Sequence, residues 1–189
     1  MTDRLTHADI VTAALGLLAE GGLPALAMRR IASELGVQQS ALYWHFDNKQ
    51  RLLAAVADRI VAPVEVSAEL DDGATPVEAL AARLRDELHR FPDGAELVAT
   101  AFAFRLGARR PLQQFTDELR AGGLSPAVAD VAASVLLHFV LGFVTDEQQH
   151  DQAAALGAIS PSADDDEPAS DDDRFGRGVQ LIVTGAWAS

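Results

Sequence analysis

Gly36-Val37-Gln38-Gln39-Ser40-Ala41-Leu42-Tyr43-Trp44-His45-Phe46-Asp47-Asn48-Lys49 is the stretch on which the reading of this chain turns. It gathers three aromatic rings, an imidazole, a row of amides and the protein's single lysine into fourteen residues of an otherwise aliphatic, acidic sequence. Just before it, Leu26, Ile31, Ala32 and Leu35 recur at helical spacing and mark a short helix over about 28–35, which Gly36 closes. A third helix follows over about 38–46, and Asp47 or Asn48 caps a fourth that Pro63 ends. Upstream, Thr6 caps a helix over 7–20 with Ile10, Val11, Ala14, Leu15 and Leu18 on one face, stopped by Gly21-Gly22. Two short helices around a glycine turn, braced by a longer one, make the three-helix arrangement of a helix-turn-helix domain.

In that arrangement the second short helix lies in the DNA major groove, with its first-turn side chains at base edges and its neighbours on phosphates. The first-turn positions are Gln38, Gln39, Ser40 and Ala41, all of types suited to direct readout: glutamine pairs bidentately with adenine, and an alanine methyl meets a thymine methyl. Tyr43 and His45 follow, and Lys49 opens the next helix, where its charge and the free N–H groups around it can grip a phosphate. Arg29 and Arg30 occupy the first turn of the second helix; one is expected on phosphate and the other toward solvent or Glu34. Leu42 and Trp44 are expected to face the core.

The overall balance, −13, argues against nucleic acid until its distribution is seen. Residues 1–60 carry six basic and six acidic side chains, so the excess negative charge lies entirely in 61–189. With 49% hydrophobic residues, only 6% aromatic, and Ala, Leu and Val dominant, an all-α fold is expected. The absence of cysteine removes disulfides, thiolate nucleophiles and thiolate metal sites. No leader pattern or long uninterrupted apolar run is visible, so a cytoplasmic protein with no membrane association is expected.

Beyond residue 63 the pattern is helix, glycine or proline, helix. Asp71-Asp72-Gly73-Ala74 reads as a turn and Thr75-Pro76 as a helix start, with further helices at about 95–106 and 111–121. The longest candidate, about 126–149, has apolar residues across too wide a face for one intramolecular neighbour; Val128, Val131, Val135 and Phe139 are therefore expected in a subunit interface. Residues 160–173 hold seven acidic side chains and two prolines and read as a solvated loop, after which Phe175 to Trp187 returns as an apolar helix. The expected organisation is a DNA-binding domain over 1–47, a connecting helix over 48–63, and a ligand-binding and dimerisation domain over 64–189.

Residues 26–53 strongly resemble the DNA-binding signature of the TetR family of bacterial transcriptional repressors. The matches are Arg29, Ile31-Ala32, Gly36-Val37, Leu42-Tyr43, His45-Phe46, Lys49 and Leu52-Leu53. Two departures stand out: Ala27 where the second helix is usually capped by Thr or Ser, and Gln38 where the third often starts with Ser. Asp93-Gly94-Ala95, His138-Phe139-Val140-Leu141-Gly142 and Glu147-Gln148-Gln149 extend the likeness to the tetracycline-repressor subgroup. The resemblance implies a homodimer, with the long helix and the last helix of each subunit forming a four-helix bundle, bound to double-stranded operator DNA and responsive to a small-molecule effector.

It also implies a departure in the pocket. The two imidazoles of the subgroup's metal-tetracycline site fall here on Val98 and near Glu65, and only the acidic position remains, as Asp146 or Glu147. No metal and no cofactor are expected. A small apolar or aromatic effector, lined by Val98, Phe102, Phe104, Leu112, Phe115, Leu137, His138 and Phe143, is expected instead. Catalysis is not expected: no phosphate loop, serine elbow or HExxH occurs, and Asp146, Glu147, His150 and Asp151 are a cluster without a second source of ligands. The alternative is a DNA-bound protein whose C-terminal domain recruits a protein partner through the acidic 160–173 region and senses no small molecule.

Overall fold

The computed structural model describes residues 5–65, 74–159 and 170–188, and among these nine helices and no strand occur, giving the all-α fold expected. In order they are α1 His7–Ala25, α2 Met28–Glu34, α3 Gln39–Tyr43, α4 Lys49–Val61, α5 Pro76–His89, α6 Gly94–Ala103, α7 Arg110–Ala121, α8 Pro126–Ala155 and α9 Asp171–Trp187. They form two compact units, one within 1–63 and 88–109 and the other within 64–87 and 110–189.

The first unit is built on capped, one-sided helices. α1 begins in a capping box: Thr6 Oγ1 accepts from Asp9 N–H at 3.2 Å, and the Asp9 carboxylate accepts from Thr6 N–H at 2.8 Å. Ile10, Ala14, Leu17 and Leu18 then line its buried face. The run breaks at the paired glycines, as expected: Gly21 and Gly22 both leave helical geometry, Gly22 at φ 61°, and a short further turn continues to Ala25 beyond the kink. Ala27 precedes α2 without any side-chain cap, as its apolar side chain dictates. Leu52, Val56, Ile60 and Val61 of α4 and Leu97 and Val98 of α6 are fully buried, and the two helices pack together.

Residues 88–109 thus pack with the N-terminal helices, although the sequence assigned them to the C-terminal domain. Two carboxylates fasten the segment at its ends. Asp93 Oδ2 accepts from Leu23 N–H at 2.8 Å, and Asp58 Oδ1 accepts from Ala108 N–H at 2.6 Å. Asp93, Arg105 and Ala108 all hold left-handed backbone conformations near φ 57–58°, each costing roughly 1 kcal/mol for a side-chain-bearing residue.

In the second unit α8 packs on α7 and α9. Gly178 of α9 lies directly against the Phe139 ring of α8, and a Cβ there would collide with it, so the glycine sets how closely the two helices approach. Asp71-Asp72-Gly73 and residues 160–169 lie outside the described residues. The acidic stretch is not loop to its end: Ser170 caps α9, accepting from Asp173 N–H at 3.2 Å, and Asp171–Asp173 form its first turn. Carboxylates there meet the positive end of the helix dipole, which is why an acidic run can start a helix. α8 reaches the length and apolarity of a membrane span, but much of it is buried against its neighbours.

Candidate nucleic-acid interface

α2 ends at a glycine turn that aims α3. Gly36 takes φ 65°, and the Gly36 and Val37 N–H groups return to Ser33 and Ala32 carbonyls at 3.1 and 3.0 Å. α3 is a single short helix, shorter than the 38–46 expected, because Trp44 already leaves the ladder. Leu42 and Phe46, one turn apart, are 0% and 4% exposed and pin it to the unit's core. Trp44 lies two residues past Leu42, about 200° round the helix, and is 88% exposed; the expectation that it faces inward was wrong for that reason.

The outward face consists of Gln38, Gln39 and Ser40, all exposed, with Ala41 partly covered and Tyr43 47% exposed. Gln39 Nε2 lies 3.4 Å from the Tyr43 hydroxyl, one turn along the same face. Asn48 caps α4 through Oδ1, which accepts from Arg51 N–H at 2.9 Å, and Lys49 is exposed in that first turn. Arg29 is exposed on α2, whereas Arg30 pairs with Glu20 at 3.9 Å and not with Glu34. The amides, the hydroxyls and the lysine are thus all exposed. His45 is partly buried at its edge.

The residues named for an effector do not all fall in one unit. Val98, fully buried, and Phe102 belong to the first; Leu112, Phe115, Leu137, His138 and Phe143 belong to the second. Phe115 and Leu137 are fully buried there, and Leu112 and Phe143 partly so. Phe104 is 59% exposed. His138 is not inside: it shares the exposed stripe of α8 with Val131 and Val135, at i+7 and i+3, and its Nδ1 lies 2.6 Å from the Ser134 carbonyl. Of the interface residues, Val131 and Val135 are 65% and 46% exposed and Val128 is half-buried. Phe139 instead stacks on Phe175 of its own chain at 5.7 Å. Leu181 and Trp187 of α9, which the sequence did not single out, add exposed apolar surface.

Of the two acidic candidates, Asp146 is exposed and Glu147 has a partner. Both Glu147 oxygens are taken by Arg85, whose guanidinium also meets Asp172 at 2.6 Å and lies over the Phe143 and Phe175 rings at 5.7 and 5.0 Å. The Glu147 hydrogen bonds raise the Arg85 pKa further above its ordinary value, against the opposing effect of burial. Among the described residues no group of three or more His, Asp or Glu is placed to hold a metal ion.

Residues 10–56 match the bacterial regulatory proteins of the tetR family, and 69–170 match the tetracyclin repressor-like C-terminal domain. The class A tetracycline repressor from transposon 1721 of Escherichia coli is 34% identical over 96% of this chain and 90% of its own length. The crystal structure of Mycobacterium smegmatis BioQ is 38% identical with a TM-score of 0.84, covering 98% of this chain and 99% of that one. A BioQ structure with its double-stranded DNA operator is 36% identical, with a TM-score of 0.78 over 98% of this chain and all of that one. ActR of Streptomyces coelicolor in complex with (S)-DNPA is 27% identical, with a TM-score of 0.77 over 99% of both chains.

Proposed function

This chain belongs to the TetR family of bacterial regulatory proteins, and we propose that it is a cytoplasmic homodimeric repressor released from a pseudo-palindromic operator by a small effector. It is a DNA-binding transcriptional regulator, of a family that acts through dimers. The observation that carries the DNA reading is the exposed face of α3, held in place by Leu42 and Phe46 beneath it. On this reading Gln38, Gln39, Ser40 and Ala41 meet base edges, and Arg29, Tyr43, His45 and Lys49 meet phosphate or the groove wall. The chain's acidity is no obstacle, since residues 1–60 are balanced and Lys49 and Arg29 stand on the outer face of the helices that approach DNA.

BioQ with its operator supplies the analogy for DNA, and ActR with (S)-DNPA supplies it for a small ligand. The effector we propose is apolar or aromatic and not a metal chelate: by the resemblance the imidazoles of the tetracycline pocket fall on Val98 and near Glu65, and Glu147 is engaged by Arg85. Within the second unit Phe115 and Leu137 would supply apolar wall, with Leu112 and Phe143 as further candidates. Binding to the state that does not fit the operator would lower DNA affinity by on the order of 1–3 kcal/mol. Dimerisation is assigned to the exposed stripe of α8 through Val131 and Val135, flanked by Val128 and Phe139. No catalytic step forms part of this reading.

A gel-shift titration against the DNA beside the protein's own gene tests it, with Lys49→Ala alongside. The variant should bind more weakly, and its log–log salt slope should be shallower by roughly one. A variant with unchanged affinity across the salt range would remove Lys49 from the interface.

A further inference from the structure

We propose that His7, at the start of α1, is a positioning residue for the DNA-contacting surface, holding the His45 imidazole in place; this rests on the assignment of His45 to that surface. The sequence gives no hint of it, since thirty-seven residues separate the two histidines. In the fold the His7 ring lies 4.2 Å from the Phe46 ring, tilted by 46°, and 5.5 Å from the His45 ring, edge-on at 73°. Phe46 is 4% exposed and forms a fixed floor. His7 is equally fixed at its backbone, because it follows Thr6 directly and sits inside the capping box that Thr6 closes with Asp9.

His45 needs such a neighbour. It lies between the end of α3 and the Asn48 cap of α4, where the backbone is held only by the His45 and Phe46 N–H groups, both donating to the Leu42 carbonyl at 3.0 and 2.9 Å. A side chain in a short turn loses rotamer freedom on reaching DNA, and one already packed edge-to-face loses less. His7 thus lets α1, whose buried face serves the core, contribute to recognition without touching DNA.

The test measures operator affinity at one salt concentration for His7→Ala, His7→Phe, His45→Ala and the His7→Ala/His45→Ala pair, with thermal melting as a check on folding. His7→Ala should weaken binding roughly three- to tenfold, the scale of one immobilised interface side chain. His7→Phe, which keeps the ring and removes its nitrogens, should restore most of the loss. In the His45→Ala background, His7→Ala should add little. Additive losses, or no rescue by phenylalanine, would show a direct contact by His7 and overturn the inference. A neutral His7→Ala with a damaging His45→Ala overturns it while leaving the DNA surface intact. A neutral His45→Ala overturns both.

Discussion

Arg85 meets Glu147 side-on, with Nε 3.2 Å from one carboxylate oxygen and Nη2 2.5 Å from the other. Their side chains are 17% and 12% exposed, so α5 and α8 share a nearly buried ion pair, while Asp172, 83% exposed, ties in the first turn of α9. Removing Glu147 leaves the largely buried guanidinium with the solvent-exposed Asp172 carboxylate in place of its bidentate partner. Glu147→Ala should therefore cost about 2–4 kcal/mol in urea unfolding, and the double change Arg85→Met/Glu147→Leu should recover much of it. A loss below about 0.5 kcal/mol would place the pair with ordinary surface pairs.

Gln39 reaches from the first turn of α3 toward Tyr43. Replacing it with Ala should relax sequence preference by about 1–3 kcal/mol at one operator position and leave non-specific affinity nearly unchanged. Selection from randomised duplexes with each protein reads this directly; identical consensus sequences would take Gln39 off the base edges.

Val135 is 46% exposed at the middle of the α8 stripe. A charge there, Val135→Asp, should yield monomers by light scattering and weaken operator binding together with assembly. The same charge at Phe139 should also unfold the α8–α9 contact, because that ring packs on Phe175 and Gly178. A Val135→Asp protein that stays dimeric would move the interface to other surface.

Asp9 has its pKa lowered, first by the Thr6 hydroxyl and then by the Thr6 N–H. A carboxyl depressed in the folded state stabilises above its unfolded value, roughly pH 4, and ceases to as pH falls through the lower folded value. An NMR titration of the carboxyl carbons should find Asp9 below the usual aspartate range, and Thr6→Val, which removes the hydroxyl and keeps the N–H, should bring it part of the way back.

Most of the helices were legible because they carry their own punctuation: Thr6, Gly36, Asn48, Thr75-Pro76 and Ser125-Pro126 all act where the sequence places them. Phase within a very short helix was not. Trp44 looks like core by composition, and only the angle from Leu42 turns it outward. The Asp93–Leu23 and Asp58–Ala108 bonds join residues fifty or more apart, and no local pattern announces a long-range carboxylate. The exposed side taken by His138 was not legible either, because an apolar helix offers a histidine two faces and the sequence does not say which one a neighbour covers.

The way 88–109 packs back onto α4 bears on how such regulators change partners in evolution. A reading head that is continuous in sequence can be exchanged by one crossover. Here the compact unit takes two separate lengths of chain, so a swap that keeps the carboxylate ties and the α4–α6 core needs three, near Pro63, Glu87 and Arg109. A hybrid cut only at Pro63 would pair Asp58 and Leu23 with a stranger's 88–109 segment. New sensing specificity should therefore arise in this lineage more readily by point changes than by shuffling, and laboratory chimeras should be spliced at all three seams.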